Sequence, residues 1–257
     1  MEQFHTMLYK YVGNVDDDKT IEYLDAFVDK GTIYASRALN FNDPAELKLL
    51  FDYNAELSVI KQRFHQARPE RTEQEFWEWY KSFDENSRWG VEYSMRNYTL
   101  TTKGIVCLTR EYDNYLMWSH YANSHTGFCI GFDDAFSHSI EDRAIEGDVV
   151  YVNSYPHYNY YTDAPRDYLS GTYLHKGKPW AYENEYRVIT EGSGVKQFDK
   201  SLIKEITLGC RASFKLQDYA SKQIDKGIDV YKMALDRNSY RLIRIRVKEG
   251  HYFQGDT

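Results

Sequence analysis

The chain places one long helical block among short strand-like runs, and this arrangement limits the fold more than any other feature of the sequence. The strand-like runs are rich in β-branched and aromatic residues and are separated by turns or loops. They lie at residues 32–36, 105–109, 128–132, 149–152, 186–190, 203–208 and 241–247. Strands that follow one another in this way, with helices largely gathered in one place, are typical of α+β proteins. We expect an α+β fold with an antiparallel sheet rather than a doubly wound sheet.

The helical block extends from Ala45 to about Tyr98. Apolar residues recur there at helical spacing, and Thr72 and Glu75 have the spacing of a capping box before the second half of the block. One apolar stripe comprises Leu47, Leu50, Leu57, Ile60 and Phe64, and the other comprises Phe76, Trp79, Tyr80 and Phe83. Residues 45–98 are therefore expected to form a helical insertion within the fold.

A helix is also predicted towards each end of the chain. The first is capped by Asp17 or Asp18 and ends at Gly31, where a left-handed backbone is favoured. The second has Leu216, Ala220 and Ile224 on its inner face. Because no repeat, low-complexity tract or Pro/Gly-rich linker divides the sequence, we expect residues 1–257 to form a single domain.

Composition restricts the classes of function. The chain has 32 Lys and Arg against 39 Asp and Glu, for a net charge of −7, so any nucleic-acid contact must come from a local basic patch. No apolar run is long enough to cross a membrane, and the start of the chain lacks the basic and apolar regions of a signal peptide. We expect a cytoplasmic protein without a membrane partner. The spacing of Cys107, Cys129 and Cys210 favours free thiols over a disulfide framework or a zinc site.

The densest polar and aromatic segment is residues 116–123, on a predicted helix before the strand at 128–132. Trp118, Ser119, His120 and Tyr121 provide rings for stacking and hydroxyls for sugar contacts, as a ligand pocket requires. The alternative is a core helix whose aromatic rings only pack. A metal site is not expected, because the five-residue spacing of His120 and His125 is poor for ligands on one helical face.

A second segment, residues 178–187, leads into the strand that ends at Thr190. If Glu183 and Glu185 are both extended, the period of two places their carboxylates on one face. Two neighbouring anions are costly unless donors or a cation lie close by, which makes the pair a candidate working site. The alternative is a solvated strand face balanced by Arg187.

Two groups of basic residues are candidates for a local phosphate-binding patch. The first is Lys61, Arg63, Arg68 and Arg71, for which a solvated turn is the simpler interpretation. The second is Arg244, Arg246 and Lys248, which alternate with Ile243, Ile245 and Val247. This alternation predicts a basic face opposite a core face.

Motifs spread over most of the chain resemble a widespread bacterial family catalogued as a domain of unknown function, DUF2971. They are the LYKY run at residues 8–11, residues 34–46, the MWSHYA run at residues 117–122 with Gly127, and the WAYENEYR run at residues 180–187.

The order of polar residues more distantly resembles ADP-ribosyltransferases of the toxin and phage-defence kind. Their early polar residue, middle hydroxyl or aromatic residue and late ExE pair correspond here to Lys10, Ser119 or Tyr121, and Glu185 with Glu183. Lys10 departs from the usual His or Arg. The resemblance implies an antiparallel split-sheet core, NAD as the cofactor, and a macromolecular acceptor, either protein or nucleic acid.

The same resemblance implies roles for these residues. Glu185 is expected to stabilise oxocarbenium-like charge when the nicotinamide–ribose bond breaks, and Glu183 to orient the nucleophile. Tyr121 or Trp118 is expected to stack on nicotinamide, Ser119 to hold the ribose, and Lys10 or Arg37 to face the pyrophosphate. The full expected NAD-binding set is Lys10, Tyr9, Arg37, Trp118, Ser119, His120 and Tyr121.

Other functions remain open on the sequence. An NAD glycohydrolase uses the same carboxylate with water as the acceptor. A non-enzymatic module docks a partner through residues 45–98. A metal-dependent nuclease requires an acidic cluster drawn from Asp43, Glu46 and the Glu183/Glu185 pair. An antitoxin or chaperone is a further expected partner of a toxin.

Overall fold

The computed structural model of the chain describes residues 7–248. Residues 1–6, on which the expectation of no signal peptide rests, and residues 249–257 lie outside the described part. Within it the chain forms two compact units. Unit 1 comprises residues 7–36, 104–149 and 179–248, and unit 2 comprises residues 37–103 and 150–178. No helix in the described part is long and apolar enough to cross a membrane.

The secondary structure is mixed. The helices α1 to α8 are Asp17–Val28, Leu57–Ala67, Glu73–Ser82, Glu85–Thr102, Tyr115–Tyr121, Phe136–Ser139, Pro165–Tyr173 and Phe214–Ser221. The strands β1 to β14 are Leu8–Val12, Thr32–Arg37, Leu50–Asp52, Gly104–Thr109, Phe128–Phe132, Arg143–Asp148, Val150–Val152, His157–Asn159, His175–Gly177, Glu185–Thr190, Gly194–Gln197, Ile203–Leu208, Asp229–Leu235 and Leu242–Arg246. Short 3₁₀ turns lie at Ala38–Asn40, Lys178–Glu183, Lys200–Leu202 and Ile224–Lys226.

One large sheet organises unit 1. Its order is β11-β2-β4-β1-β5-β12-β13-β14, and β10 pairs with β4 and with β6. Most pairings are antiparallel, but β12 and β13 are parallel because α8 crosses over between them. Strand β4 pairs with β10 along one of its edges. Along its other edge it pairs with β2 and also with β1, where Tyr9 lies opposite Thr109. The sheet therefore divides at β4.

Helices pack on both faces of this sheet. On one face α1 and α8 bury Leu24, Phe27 and Leu216 against aliphatic and Phe side chains of the central strands. On the other face α5 packs Met117 and Trp118 against tyrosines of β1. Burial of a helix's apolar stripe on a sheet face is the main driving force for such layers. The second face differs in chemistry, because it carries polar side chains as well as rings.

Unit 2 contains α2, α3, α4 and α7 with the parallel pairs β3–β8 and β7–β9. Its aromatic core is built on Phe64, Phe76 and Tyr161. The Tyr173 hydroxyl donates to the Thr99 carbonyl oxygen at 2.8 Å and ties α7 to α4. The Lys176 Nζ lies 2.9 Å from Glu46 Oε1 in an ion pair whose side chains are 5% and 1% exposed.

Several element predictions are confirmed. The strands at residues 128–132 and 203–208 have the predicted bounds, the Thr72–Glu75 capping box forms, and Gly31 has a φ of +63°. The cap of α1 was predicted one or two residues too late, because the Asp16 side chain accepts the Asp18 backbone N–H. The predicted α+β fold is confirmed and most pairings of the large sheet are antiparallel as expected, but β12 and β13 pair in parallel.

Two apolar patterns were misread. Helix was predicted from Ala45, but Leu47 has a φ of +58° and Leu50 begins strand β3, so the helical stretch starts at Leu57. At the other end of the chain, Ile243 and Ile245 are 46% and 37% exposed. They do not form the core face predicted there, because β14 ends the order of the sheet and has no strand beyond it in the described part.

The loop after α5 is an unusual backbone feature of unit 1. Asn123, Ser124 and His125 all have positive φ, at +46°, +53° and +68°. The Arg211 backbone N–H donates to the His125 carbonyl oxygen at 3.0 Å, which fixes the loop against the chain that follows β12. A Cβ atom at Gly209 would overlap that same carbonyl group. Glycine at 209 is thus required by close backbone approach.

We predict that Gly209→Ala lowers the free energy of unfolding by about 1–3 kcal/mol, because the added methyl group has no space. Gly90→Ala is the matched control: nothing lies within 4 Å of its Cβ position in α4, so the same change should raise stability by about 0.5–1 kcal/mol. Urea denaturation measures both. Equal effects of the two substitutions would contradict the close approach at Gly209.

Candidate functional site

The candidate site lies on the polar face of the unit 1 sheet, where three strands meet. Tyr9 lies opposite Thr109, and Thr109 lies opposite Glu185 on its other side. Cys107 similarly lies opposite Arg187. Side chains opposite each other on paired strands point to the same face. The face beside the division of the sheet therefore carries a row of polar side chains.

The two carboxylates of the ExE segment are both buried, but not as the strand pattern predicted. Glu183 is the last residue of a 3₁₀ turn, Asn184 has a φ of +42°, and only Glu185 is in a strand. The period-two argument for placing them on one face was therefore wrong. The solvated strand face was also wrong, since Glu183 and Glu185 are 2% and 5% exposed.

The backbone of this segment is held by hydrogen bonds to consecutive carbonyl groups, at residues 182–184. Asn114 Nδ2 donates to the first and Thr109 Oγ1 to the second, each at 2.6 Å, and the Arg110 backbone N–H donates to the third at 3.2 Å. These donors come from the end of β4 and the N-cap of α5. The position of the carboxylates is thus fixed by residues about 70 positions earlier in the sequence. Local sequence patterns do not reveal such long-range contacts.

Arg187 holds the Glu185 carboxylate in a bidentate ion pair. Its Nε donates to Oε1 and its NH2 group to Oε2, both at 2.8 Å, and the guanidinium side chain is 0% exposed. Burial normally favours the neutral form of a carboxyl group, and a paired guanidinium opposes that effect. The pair therefore keeps a charged carboxylate inside the protein with a fixed orientation.

Lys10 and Cys107 lie next to this pair. Lys10 Nζ donates to the Cys107 carbonyl oxygen at 3.1 Å. Burial lowers the pKa of Lys10, and the charge of Glu185 opposes that decrease. Burial also raises the pKa of the Cys107 thiol, and Glu185 raises it further. Cys107 is therefore a neutral thiol at physiological pH and not an activated nucleophile.

Tyr121 connects α5 to the other carboxylate. Its hydroxyl donates to Glu183 Oε1 at 2.5 Å. Two further rings lie near Tyr121, those of His120, which is exposed, and of Tyr182. The centroids of the His120 and Tyr182 rings are 6.4 Å apart. The centroid of the Trp180 ring lies 6.1 Å from that of the Tyr182 ring. His120, Tyr182 and Trp180 form a group of rings beside the carboxylates, of which sequence analysis named only His120 in the cofactor set.

Two residues predicted to bind NAD are core residues instead. Trp118 is 0% exposed, its ring meets Tyr11 edge-on at 5.1 Å, and its Nε1 donates to the Tyr112 carbonyl oxygen at 2.8 Å. It has no face available for stacking on nicotinamide, so that prediction was wrong. Tyr9 is 7% exposed and its hydroxyl contacts the Met7 sulfur at 3.5 Å.

Ser119 is placed against His125 rather than against the carboxylates. Ser119 Oγ donates to the Tyr115 carbonyl oxygen at 3.0 Å and lies 3.1 Å from His125 Nε2. Because the single hydroxyl proton is used on the carbonyl, we assign the ring proton to Nε2. His125 Nδ1 is then an acceptor, and it has no hydrogen-bond partner among the described residues. This is the reverse of a Ser–His nucleophile pair, in which the ring accepts the hydroxyl proton.

Two further predicted groups are arginines of other strands. Arg37 is exposed, ends β2 and belongs to unit 2. Arg246 pairs with Asp229 across β13 and β14. No group of three or more His, Cys, Asp or Glu side chains within residues 7–248 is arranged to hold a metal ion.

A second, partly buried ion pair lies further along the same sheet. Arg244 pairs with Glu205, and its guanidinium lies between the rings of Tyr112 and Tyr231, at 4.2 Å and 4.0 Å from their centroids. Strands β4, β1 and β5 separate Glu205 on β12 from Glu185 on β10, a separation of about 19 Å at the usual strand spacing. The sheet thus provides a carboxylate–arginine pair of similar chemistry outside the candidate site.

A family model described as "Protein of unknown function (DUF2971)" matches residues 117–188. The matched stretch contains Tyr121, Glu183, Glu185 and Arg187, which are the residues that the structure brings together around the carboxylates. The match supports the resemblance to this family drawn from the sequence. No curated protein and no solved structure matches the chain.

We predict that Glu185 and Arg187 are coupled in stability. Arg187→Met leaves a buried carboxylate without its guanidinium and should cost about 3–5 kcal/mol of unfolding free energy. The double variant Glu185→Leu/Arg187→Met should lose clearly less than the sum of the two single losses, because neither charge is then left alone. Urea denaturation of the four proteins measures this coupling. Additive losses would show that the pair does not act as a unit.

Proposed function

We propose that this protein is an NAD-dependent ADP-ribosyltransferase whose catalytic centre is the carboxylate cluster of unit 1. The observation that carries the proposal is the rigid placement of two buried carboxylates beside the division of the sheet. Glu185 is fixed by Arg187, and Glu183 is bonded to Tyr121. Catalytic groups require this kind of support from neighbouring hydrogen bonds.

Glu185 is the electrostatic element of the proposed reaction. When the bond between ribose C1′ and the nicotinamide nitrogen breaks, its electron pair leaves with nicotinamide and positive charge develops on the sugar. An ionised carboxylate in a water-poor site stabilises such charge strongly. The ion pair with Arg187 allows Glu185 to stay ionised although it is 5% exposed.

Glu183 is the proposed proton acceptor. The acceptor nucleophile forms a bond to C1′ and loses its proton, and a carboxylate near the surface ring group is suited to orient it and take that proton. The Tyr121 hydroxyl donates to Glu183 Oε1 at 2.5 Å and fixes its orientation. This assigns to Glu183 the role that the resemblance implied.

NAD binding is assigned to the accessible groups around the carboxylates. Because Trp118 is fully buried, we move the stacking role to Tyr182 and His120 beside Tyr121. Lys10 is half-buried beside Glu185 and is the proposed contact for the pyrophosphate. The acceptor is proposed to be a macromolecule, protein or nucleic acid, and the biological role to be that of a toxin or phage-defence effector held in check by an antitoxin or chaperone.

The direct test is transfer of label from NAD radiolabelled in its ADP-ribose moiety to macromolecules of a mixed cell extract. Glu185→Gln should lower transfer by about 10²–10³-fold, because the main charge opposing the developing cation is removed. Glu205→Gln is the matched control, since it also removes a buried carboxylate paired with an arginine, and it should retain transfer. Both variants are compared by circular dichroism to confirm that they are folded.

The products separate the proposal from its rivals. Labelled macromolecule supports the transferase, whereas free ADP-ribose without labelled macromolecule identifies an NAD glycohydrolase that uses the same carboxylate. Full activity of a folded Glu185→Gln variant would remove Glu185 from the mechanism. In cells, growth arrest by the wild-type protein and by Glu205→Gln but not by Glu185→Gln is expected of a toxin.

A further inference from the structure

We infer that a cavity in unit 2 binds a nucleoside phosphate, with the base on its aromatic rings and the phosphate on two arginines. The cavity has a volume of about 340 Å³, which lies in the range of roughly 300–1,000 Å³ usual for small-ligand sites. Its aromatic lining consists of Phe64, Trp79, Tyr158, Tyr160 and Tyr161. The proposal does not depend on the activity assigned to unit 1.

The rings come from separate parts of unit 2 and converge on the cavity. Phe64 on α2 and Trp79 on α3 have centroids 5.0 Å apart, and Tyr160 and Tyr161 follow β8 with centroids 5.2 Å apart. Phe64 and Tyr161 belong to the buried core of the unit, which keeps the wall rigid, while Trp79 and Tyr160 are only partly buried. A rigid aromatic wall with partly exposed rings is suited to stacking on a planar base.

Arg63 and Arg68 supply the positive charge of the cavity. The Arg68 guanidinium lies over the rings of Phe64 and Trp79, at 5.2 Å and 5.9 Å from their centroids. Arg63 lies on α2 and also lines the cavity. Both arginines therefore border the space where a ligand would lie.

These arginines differ from their basic neighbours in sequence. Lys61 pairs with Glu73 at 2.7 Å and Arg71 pairs with Glu75 at 2.5 Å, so both are neutralised at the surface. Within residues 7–248 neither Arg63 nor Arg68 forms an ion pair with a carboxylate. Guanidinium groups without a carboxylate partner in a concave site are suited to a phosphate, which they bind in bidentate fashion.

Rings and guanidinium groups together identify the ligand class. A phosphate ion alone leaves the aromatic wall unused, and an apolar ring alone leaves the arginines without an anion. A nucleoside phosphate uses both features, because its base can stack on the rings and its phosphate can bind the arginines. The same chemistry is offered by a free nucleotide and by one nucleotide of a single strand, in which bases stack on protein rings and the backbone contacts arginines.

The test is calorimetric titration of the full chain with AMP, adenosine, phenyl phosphate and a single-stranded adenylate pentanucleotide. AMP or the pentanucleotide should bind, and adenosine and phenyl phosphate should bind at least about tenfold more weakly, because each lacks one half of the recognised chemistry. Tighter binding of the pentanucleotide than of AMP identifies a single strand as the source. The opposite order identifies a free nucleotide.

Matched variants connect binding to the cavity. Arg63→Gln/Arg68→Gln should weaken binding of the tighter of these two probes by at least about tenfold, whereas Lys61→Gln/Arg71→Gln removes the same charge from the same region and should change it less than about twofold. Tyr160→Leu should also weaken binding while the protein remains folded by circular dichroism. The proposal is overturned if neither AMP nor the pentanucleotide binds at millimolar concentration, if phenyl phosphate binds as tightly as AMP, or if the two double variants behave alike.

Discussion

The buried ion pair between Glu185 and Arg187 is the interaction on which the account of unit 1 depends. Two charged groups at 5% and 0% exposure are costly to remove from water, and the bidentate contact at 2.8 Å offsets that cost. Such a pair is weak evidence of stabilisation, because apolar residues of similar volume often serve a fold as well. Its place beside the division of the sheet, two residues after the buried Glu183, favours a functional reason for burying the charge.

Hydrogen bonds on the same face of the sheet hold the two carboxylates in fixed positions. The carbonyl groups of residues 182–184 are bound by Asn114, Thr109 and Arg110, so the turn before β10 is fastened to the end of β4. Tyr121 then reaches Glu183 from α5, which is anchored by the buried Trp118. Trp118 therefore contributes by holding the helix in place rather than by touching a ligand. The fully buried Trp118 and the partly buried Tyr121 of one motif thus have different roles.

The sequence predicts the fold where local pattern and burial agree. Strands β5 and β12 have the predicted bounds because buried apolar side chains dominate both of them. Helix α7 was missed because its buried face consists of Tyr168, Gly171, Thr172 and Tyr173, which give no aliphatic period. The geometry of Glu183 and Glu185 was misread because it depends on the left-handed Asn184 and on donors distant in sequence. Residue types identified the cluster, but only tertiary contacts define its shape.

Both units combine aromatic side chains with arginines at their candidate sites. In unit 1 Arg187 and Arg244 are paired with carboxylates, whereas in unit 2 Arg63 and Arg68 line an aromatic cavity. The central claim concerns unit 1, and a crystal structure of the protein with a non-hydrolysable NAD analogue tests it most directly. The account predicts the nicotinamide ribose within hydrogen-bonding distance of the Glu185 carboxylate, with a ring of Tyr182 or His120 against nicotinamide. An analogue that is absent from this cluster, or bound with its ribose remote from Glu185, would contradict it.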